Sequence, residues 1–215
     1  MAGSYVGFGF GAIQGGLFLP AAQASNNFDR LVVAEIEPDI VRGVRANDGS
    51  YSCNVAHADR VEVVTVSGVQ TLNPIDSDDR EELVGAIAGA SELGTALPSF
   101  HLYDSPPAAV ARLLAEGLTR KSKRPELPPA VVYAAENDSR AATRLEALCW
   151  DHAPAGFGDK TIFSETVIPK MCTVVQDTAR IEAEGLIPMF PGANRALLVE
   201  AYDRILIEDH APAGF

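Results

Sequence analysis

Apolar residues fall along the chain in short blocks that alternate between two spacings. Ser4 to Phe8 is a brief apolar run, Ile13 to Ala24 has helix-compatible spacing, and Leu31 to Ile36 (LVVAEI) is continuous enough for a buried strand. This opening predicts strand, glycine turn, helix, strand. Asp39 to Ala46 predicts a short helix after Pro38, and Val61 to Val66 (VEVVTV) alternates as an edge-type strand turned by Ser67-Gly68. Asp78 to Gly89 is an amphipathic helix whose acids lie in the first turn, where the helix dipole favours them. A weaker strand spans Glu92 to Leu97. Asp104-Ser105-Pro106 then supplies a cap and a first-turn proline for a helix reaching Leu118.

The rest of the chain continues the alternation. Arg120 to Pro129 (RKSKRPELPP) reads as a basic, proline-rich, solvated loop, Ala130 to Ala134 as a strand and Ser139 to Cys149 as a helix. A strand around Val167 to Val175 follows, then a last one, Leu197 to Ile207, interrupted or partly helical. Strands alternating with helices predict a doubly wound α/β fold, a mainly parallel sheet with helices on both faces.

Composition narrows the function. The 215 residues suit one domain, and 47% apolar with 21% charged residues is ordinary for a globular chain. The net charge of −12 disfavours nucleic-acid backbones and anionic membrane surfaces as partners. Cys53, Cys149 and Cys172 are far apart and show no metal-type spacing, which predicts reduced thiols in a cytoplasmic protein. Residues 5–24 are apolar, but the first basic residue is Arg30, so the basic start of a secretory signal is missing. Five glycines and Pro20 interrupt the same stretch, which argues against the uninterrupted apolar helix of a membrane span.

Those glycines have another use. Gly7-Phe8-Gly9-Phe10-Gly11 follows a predicted strand, precedes a predicted helix, and lies a βαβ distance before Glu35. One glycine makes the tight turn, a second lets a pyrophosphate approach the backbone, and the helix start offers free N–H groups. Glu35 would accept hydrogen bonds from a ribose diol and repel a 2′-phosphate, which favours NAD over NADP. The spacing is imperfect. With Gly9 and Gly11 as the first two glycines, Gln14 stands where the third belongs, and Pro20 lies inside the helix, where it costs about 3 kcal/mol or forces a kink. The alternative is a glycine-rich strand–helix turn that binds nothing.

Several short segments in the same order resemble the polyol-specific long-chain (mannitol) dehydrogenase family. They are Phe8-Gly9-Phe10-Gly11-Ala12-Ile13, Ala34-Glu35-Ile36, Val66-Ser67-Gly68-Val69, Gly94-Thr95-Ala96-Leu97, Ala135-Glu136-Asn137 and Glu200 to Gly214. The resemblance implies a Rossmann-like cofactor domain over residues 1–215, with NAD contacted by Gly9, Gly11, Ala12, Ile13, Glu35, Thr95 and Ala96. It also implies a polyol or sugar-phosphate substrate whose oxygen Asn137 helps to hold; the alternative for Asn137 is a helix cap, beside Asp138 and Ser139. In that family a helical domain follows with a catalytic lysine in a Lys-x4-Asn-x2-His pattern. None of Lys121, Lys123, Lys160 and Lys170 heads that pattern, and Ile168-Pro169-Lys170-Met171 stands altered where the family has Val-Asp-Arg-Ile. The expectation is a cofactor domain without the helical one, with activity weak or dependent on a partner or second subunit.

Other chemistries find no support. No Tyr-x3-Lys, Gly-x-Ser-x-Gly or Gly-x4-Gly-Lys-Ser/Thr pattern occurs, and the four histidines show no metal-ligand spacing. A methyltransferase-like domain would share the glycine turn and the acid, but Tyr5-Val6 stands where such domains carry an acid before the glycines. A noncatalytic cofactor-binding or protein-interaction domain is the rival to an oxidoreductase. The heptapeptide DHAPAGF occurs twice, at 151–157 and 209–215, as a duplicated surface loop or as a paired His/Asp site.

Overall fold

The computed structural model describes residues 3–153, 156–158 and 160–215. The chain opens with β1 (Gly3–Phe8), a π-helical stretch (Gln14–Phe18) running into α1 (Leu19–Ser25), then β2 (Phe28–Ala34) and α2 (Pro38–Ala46). There follow β3 (Tyr51–Ala56), β4 (Val61–Val66), β5 (Val69–Leu72), α3 (Ser77–Gly89) and β6 (Glu92–Thr95). The second half contains α4 (Val110–Ser122), β7 (Ala130–Ala134), α5 (Ala141–His152), β8 (Thr161–Val167), β9 (Cys172–Val175), α6 (Thr178–Ala183), β10 (Ala196–Glu200) and β11 (Leu206–Ile207).

Seven strands form the main sheet in the order β11-β8-β7-β6-β1-β2-β5. All of its neighbours pair in parallel except β11, which runs against β8. The chain winds outward from β1 through β2 to β5, then returns to the other side of β1 with β6. That reversal leaves a crevice at the carboxyl ends of β1 and β6, the place where open α/β sheets bind ligands.

Alternation along the strands divides the core in two. Val6, Phe8, Val32, Leu93 and Val132 face α3, α4 and α5. Tyr5, Leu31 and Val33 face the helix after the glycines, α2, and a second sheet of order β4-β3-β10-β9. The α/β expectation is correct, with one amendment: a sheet shares the covering of the second face with helices. Asn54 fastens that sheet, donating its Nδ2 to the carbonyls of Ile187 and Leu197 at 2.9 Å each and accepting from the Ile187 N–H at 2.9 Å.

Several elements depart from the sequence reading. The strands β3 and β5 were not foreseen; β3 mixes polar and apolar residues, and β5 has only four. Of the strand expected over 167–175 only β9 forms, because Pro169 cannot donate to a ladder; β8, which ends at Val167 and belongs to the other sheet, was not foreseen. The helix expected from Asp104 starts only at Val110, because Pro106 and Pro107 restrict the residues before them and Ala109 takes a left-handed φ of 39°. Part of the basic run is helix, and Lys121 is fully buried, donating to the carbonyls of Ala90 at 2.6 Å and Pro128 at 2.7 Å. The predicted interruption of Leu197–Ile207 is present between β10 and β11.

Pro20 is accommodated without a break. Leu19 N–H reaches back five residues to the Gln14 carbonyl, so the helix widens over one turn and places Pro20 in the first turn of α1, where no N–H is needed. The two DHAPAGF copies differ in fate. Phe157 is buried against Trp150 and Phe163 while Phe215 is exposed, and His152 bonds Asp104 at 2.8 Å while His210 is exposed. Among the described residues they form no paired site; Pro154 and Ala155 of the first copy lie outside those residues.

Candidate functional site

The crevice is a cleft of about 540 Å³. Its floor is the turn from Phe8 to Ile13, and its sides are the ends of β2 and β6, the segment Ser105–Ala108, and part of β9. Gly9 has φ +82°, and a Cβ on it would stand 3.0 Å from the Ala96 carbonyl oxygen, so the position needs glycine. A Cβ on Gly11 would meet nothing within 4 Å, leaving its backbone open to the cleft. The N–H groups of Gly11, Ala12 and Ile13 lie at the start of the helix, where such groups have no carbonyl partner inside it. They form a cradle for an anion.

Glu35 is buried beside this turn at the end of β2. Its Oε2 accepts the Phe10 N–H at 2.7 Å and its Oε1 accepts the Glu37 N–H at 2.9 Å. The carboxylate therefore ties the glycine turn to β2, and each oxygen keeps a lone pair for a further donor. Gly9 N–H reinforces the link through the Ala34 carbonyl at 2.9 Å. Gly9, Gly11, Ala12, Ile13, Glu35 and Ala96 all line the cleft.

Thr95 and Asn137 are placed elsewhere. Thr95 is buried beneath the wall, and its hydroxyl donates to Glu136 Oε2 at 2.8 Å. Asn137 is exposed past the end of β7 and is not among the cleft-lining residues. Nor is it the cap of α5. Asp138 Oδ1 accepts the Arg140 N–H at 2.8 Å, and Glu165 accepts the N–H groups of Ala142 and Thr143 at 3.0 Å each.

Two features escaped the sequence reading. Glu136 is a buried acceptor for the Thr95 hydroxyl, the Tyr103 hydroxyl and the Leu97 N–H, the last at 2.8 Å. It fixes the wall over the cleft, and burial together with its charge holds the Tyr103 hydroxyl protonated far above the usual range. An acid directly after the apolar run AVVYAA is the signal that marks it. The second feature is Arg195, which lines the cleft and donates to Glu37 Oε2 at 2.7 Å. Nothing local in the sequence connects residues 158 positions apart. Cys172 also lines the cleft, its thiol pushed up to about 11 by burial. Among the described residues no cluster of metal-ligand type occurs, and no helix is long and apolar enough to cross a membrane.

No family model matches the chain, and no curated protein matches it. Solved structures do. A D-sorbitol dehydrogenase in substrate-free form superposes with a TM-score of 0.75 at 14% identity, covering 98% of this chain. Pseudomonas fluorescens mannitol 2-dehydrogenase, in a ternary complex with NAD and D-mannitol, superposes with a TM-score of 0.71 at 12% identity, covering 99% of this chain. The chain spans about half the length of both, 51% in each case. At these identities the likeness is one of fold.

Proposed function

We propose that the chain is an NAD-binding domain of oxidoreductase type, related to the polyol dehydrogenases, with residues 1–215 acting as one cofactor domain. The observation that carries this reading is the joining of Glu35 to the glycine turn, which sets a ribose acceptor and an anion cradle around one cleft. The pyrophosphate would lie on the N–H groups of Gly11, Ala12 and Ile13, and the adenosine ribose on Glu35. The apolar wall of Ala96, Leu97 and Pro98 would receive the adenine. Thr95 would support that wall from beneath rather than touch the cofactor.

NAD, when bound, supplies the hydride acceptor. The chain must then supply a group that takes the hydroxyl proton of an alcohol near neutral pH. No lysine or histidine is among the described cleft-lining residues, and the Cys172 thiol is held too high to serve. Asn137 can donate to a substrate oxygen but cannot take a proton. Turnover of a polyol or sugar phosphate therefore depends on a partner or second subunit that brings the missing base. The second reading, a noncatalytic cofactor-binding domain, draws on the same lack.

Titration calorimetry with NAD tests the cofactor reading, and a screen at 340 nm with mannitol, sugar phosphates and both cofactors tests the activity. NAD binding with no reduction by the chain alone is expected. No NAD binding would overturn the reading. Robust reduction would overturn the dependence on a partner.

A further inference from the structure

We infer that the Glu37–Arg195 ion pair is a second determinant of cofactor choice, keeping Arg195 from engaging a 2′-phosphate; this rests on the cofactor reading above. Arg195 is the one cationic side chain among the described residues lining the cleft. It sits next to the ribose acceptor: Glu37, whose carboxylate it holds at 2.7 Å, gives its own N–H to Glu35 Oε1 at 2.9 Å.

The arginine is fixed from behind. Its carbonyl accepts the N–H of Met189, which is fully buried, at 2.9 Å. The ring of Phe190 packs so closely over Gly43 of α2 that a Cβ there would overlap it. The side chain of Arg195 is 14% exposed, whereas that of Glu37 is 51% exposed. The cation is thus built into the wall and its anion lies at the rim.

This asymmetry decides what each substitution does. With Glu37 present, one edge of the guanidinium is occupied and its charge is matched, while Glu35 and Glu37 together repel an incoming phosphate. Replacing the Glu37 carboxylate by an amide removes one of the two repelling charges and frees a planar fork suited to phosphate oxygens. Arg195, largely shielded and lining the cleft, keeps that fork at the cleft wall. The ribose diol of NAD asks only for Glu35, so NAD affinity changes little.

Titration calorimetry on the full chain tests this with NAD and NADP, using wild type, Glu37→Gln, and Glu37→Gln combined with Arg195→Met. Glu37→Gln is expected to tighten NADP relative to NAD by about tenfold or more, and the added Arg195→Met to abolish that gain. An unchanged NADP-to-NAD ratio in Glu37→Gln, with NAD still bound, would overturn the inference alone. A gain that survives Arg195→Met would do the same. Binding of neither dinucleotide by the wild type would overturn the cofactor reading and this inference with it.

Discussion

The carboxamide of Gln14 fills the space that a Cβ on Gly7 would need, and its Nε2 donates to the Tyr5 hydroxyl at 2.8 Å. The third glycine that the motif lacks on its helix is thus matched by a glycine on the strand beneath. Gly94, in register with Gly7 on β6, leaves room for the Tyr5 hydroxyl in the same way. Gly15 and Gly16 serve the opposite side of the helix, which they bring against Leu197 and Val199 of β10.

Gly7→Ala should therefore cost about 1–3 kcal/mol, because the methyl has only a buried, hydrogen-bonded side chain to displace. A lower denaturant midpoint with an unchanged m-value is the expected result. A wild-type midpoint would show that Gln14 has another place to go.

Glu35→Ala removes the acceptor of two backbone N–H groups and, on the proposed cofactor reading, the ribose partner. Hydrogen exchange at the Phe10 amide should speed up before any cofactor is added. Dinucleotide affinity should fall about tenfold or more, in line with hydrogen bonds to a charged group at ~1.5–3 kcal/mol. Unaltered exchange at Phe10 would contradict the tie between the turn and β2.

Tyr103→Phe should lower stability by about 1–3 kcal/mol, since Glu136 then keeps two of its three donors in a buried setting. Thermal unfolding measures the loss. Proteolysis near Leu97–Tyr103 should increase with it, as that wall loses its anchor.

Stability should fall as pH rises above about 9. Burial pushes the Cys53 thiol up to about 12 and Cys172 to about 11, and raises Cys149 as well. These groups keep their protons when folded and lose them on unfolding, so alkali favours the unfolded chain. Lys121 works against this trend. Burial lowers it to about 8, so between that value and its usual 10.4 the unfolded chain binds the extra proton, and rising pH favours the fold. Lys121→Met should consequently steepen the alkaline loss, as read from denaturant unfolding between pH 8 and 10.

The parts of the fold that the sequence made legible are those with continuous apolar runs. LVVA and AVVYA lie in strands as their continuous apolar runs suggest, although the strand expected through Ile36 stops at Ala34 and leaves Ile36 exposed, and the acids opening α3 marked its start. Gly9, Gly11 and Glu35 could be placed together from the sequence because strand, glycine turn and acid follow one another at short range, and all three line one cleft. What stayed hidden depends on pairing at long range. Four residues, VQTL, become a strand only because β2 offers an edge, and Lys121 looked solvated because its carbonyl partners are Ala90 and Pro128, 31 and 7 residues away. Arg195 enters the cleft from a loop whose place is set by α2 and Asn54, neither of which neighbours it in sequence.

The bonds made by Asn54 also set an order of events during synthesis. The strand holding Asn54 must wait for Leu197, 143 residues later, before it gains its central neighbour. At about 5–20 residues per second, that gap lasts on the order of ten seconds on a ribosome. Throughout it, the hairpin of β3 and β4 has an unpaired edge, although residues made earlier, Phe10 and Gly15, already supply the partners of Tyr51 on its inner face. The nascent chain would thus present a long-lived target for chaperones, while the wall that carries Arg195 is among the last parts of the cleft to take shape.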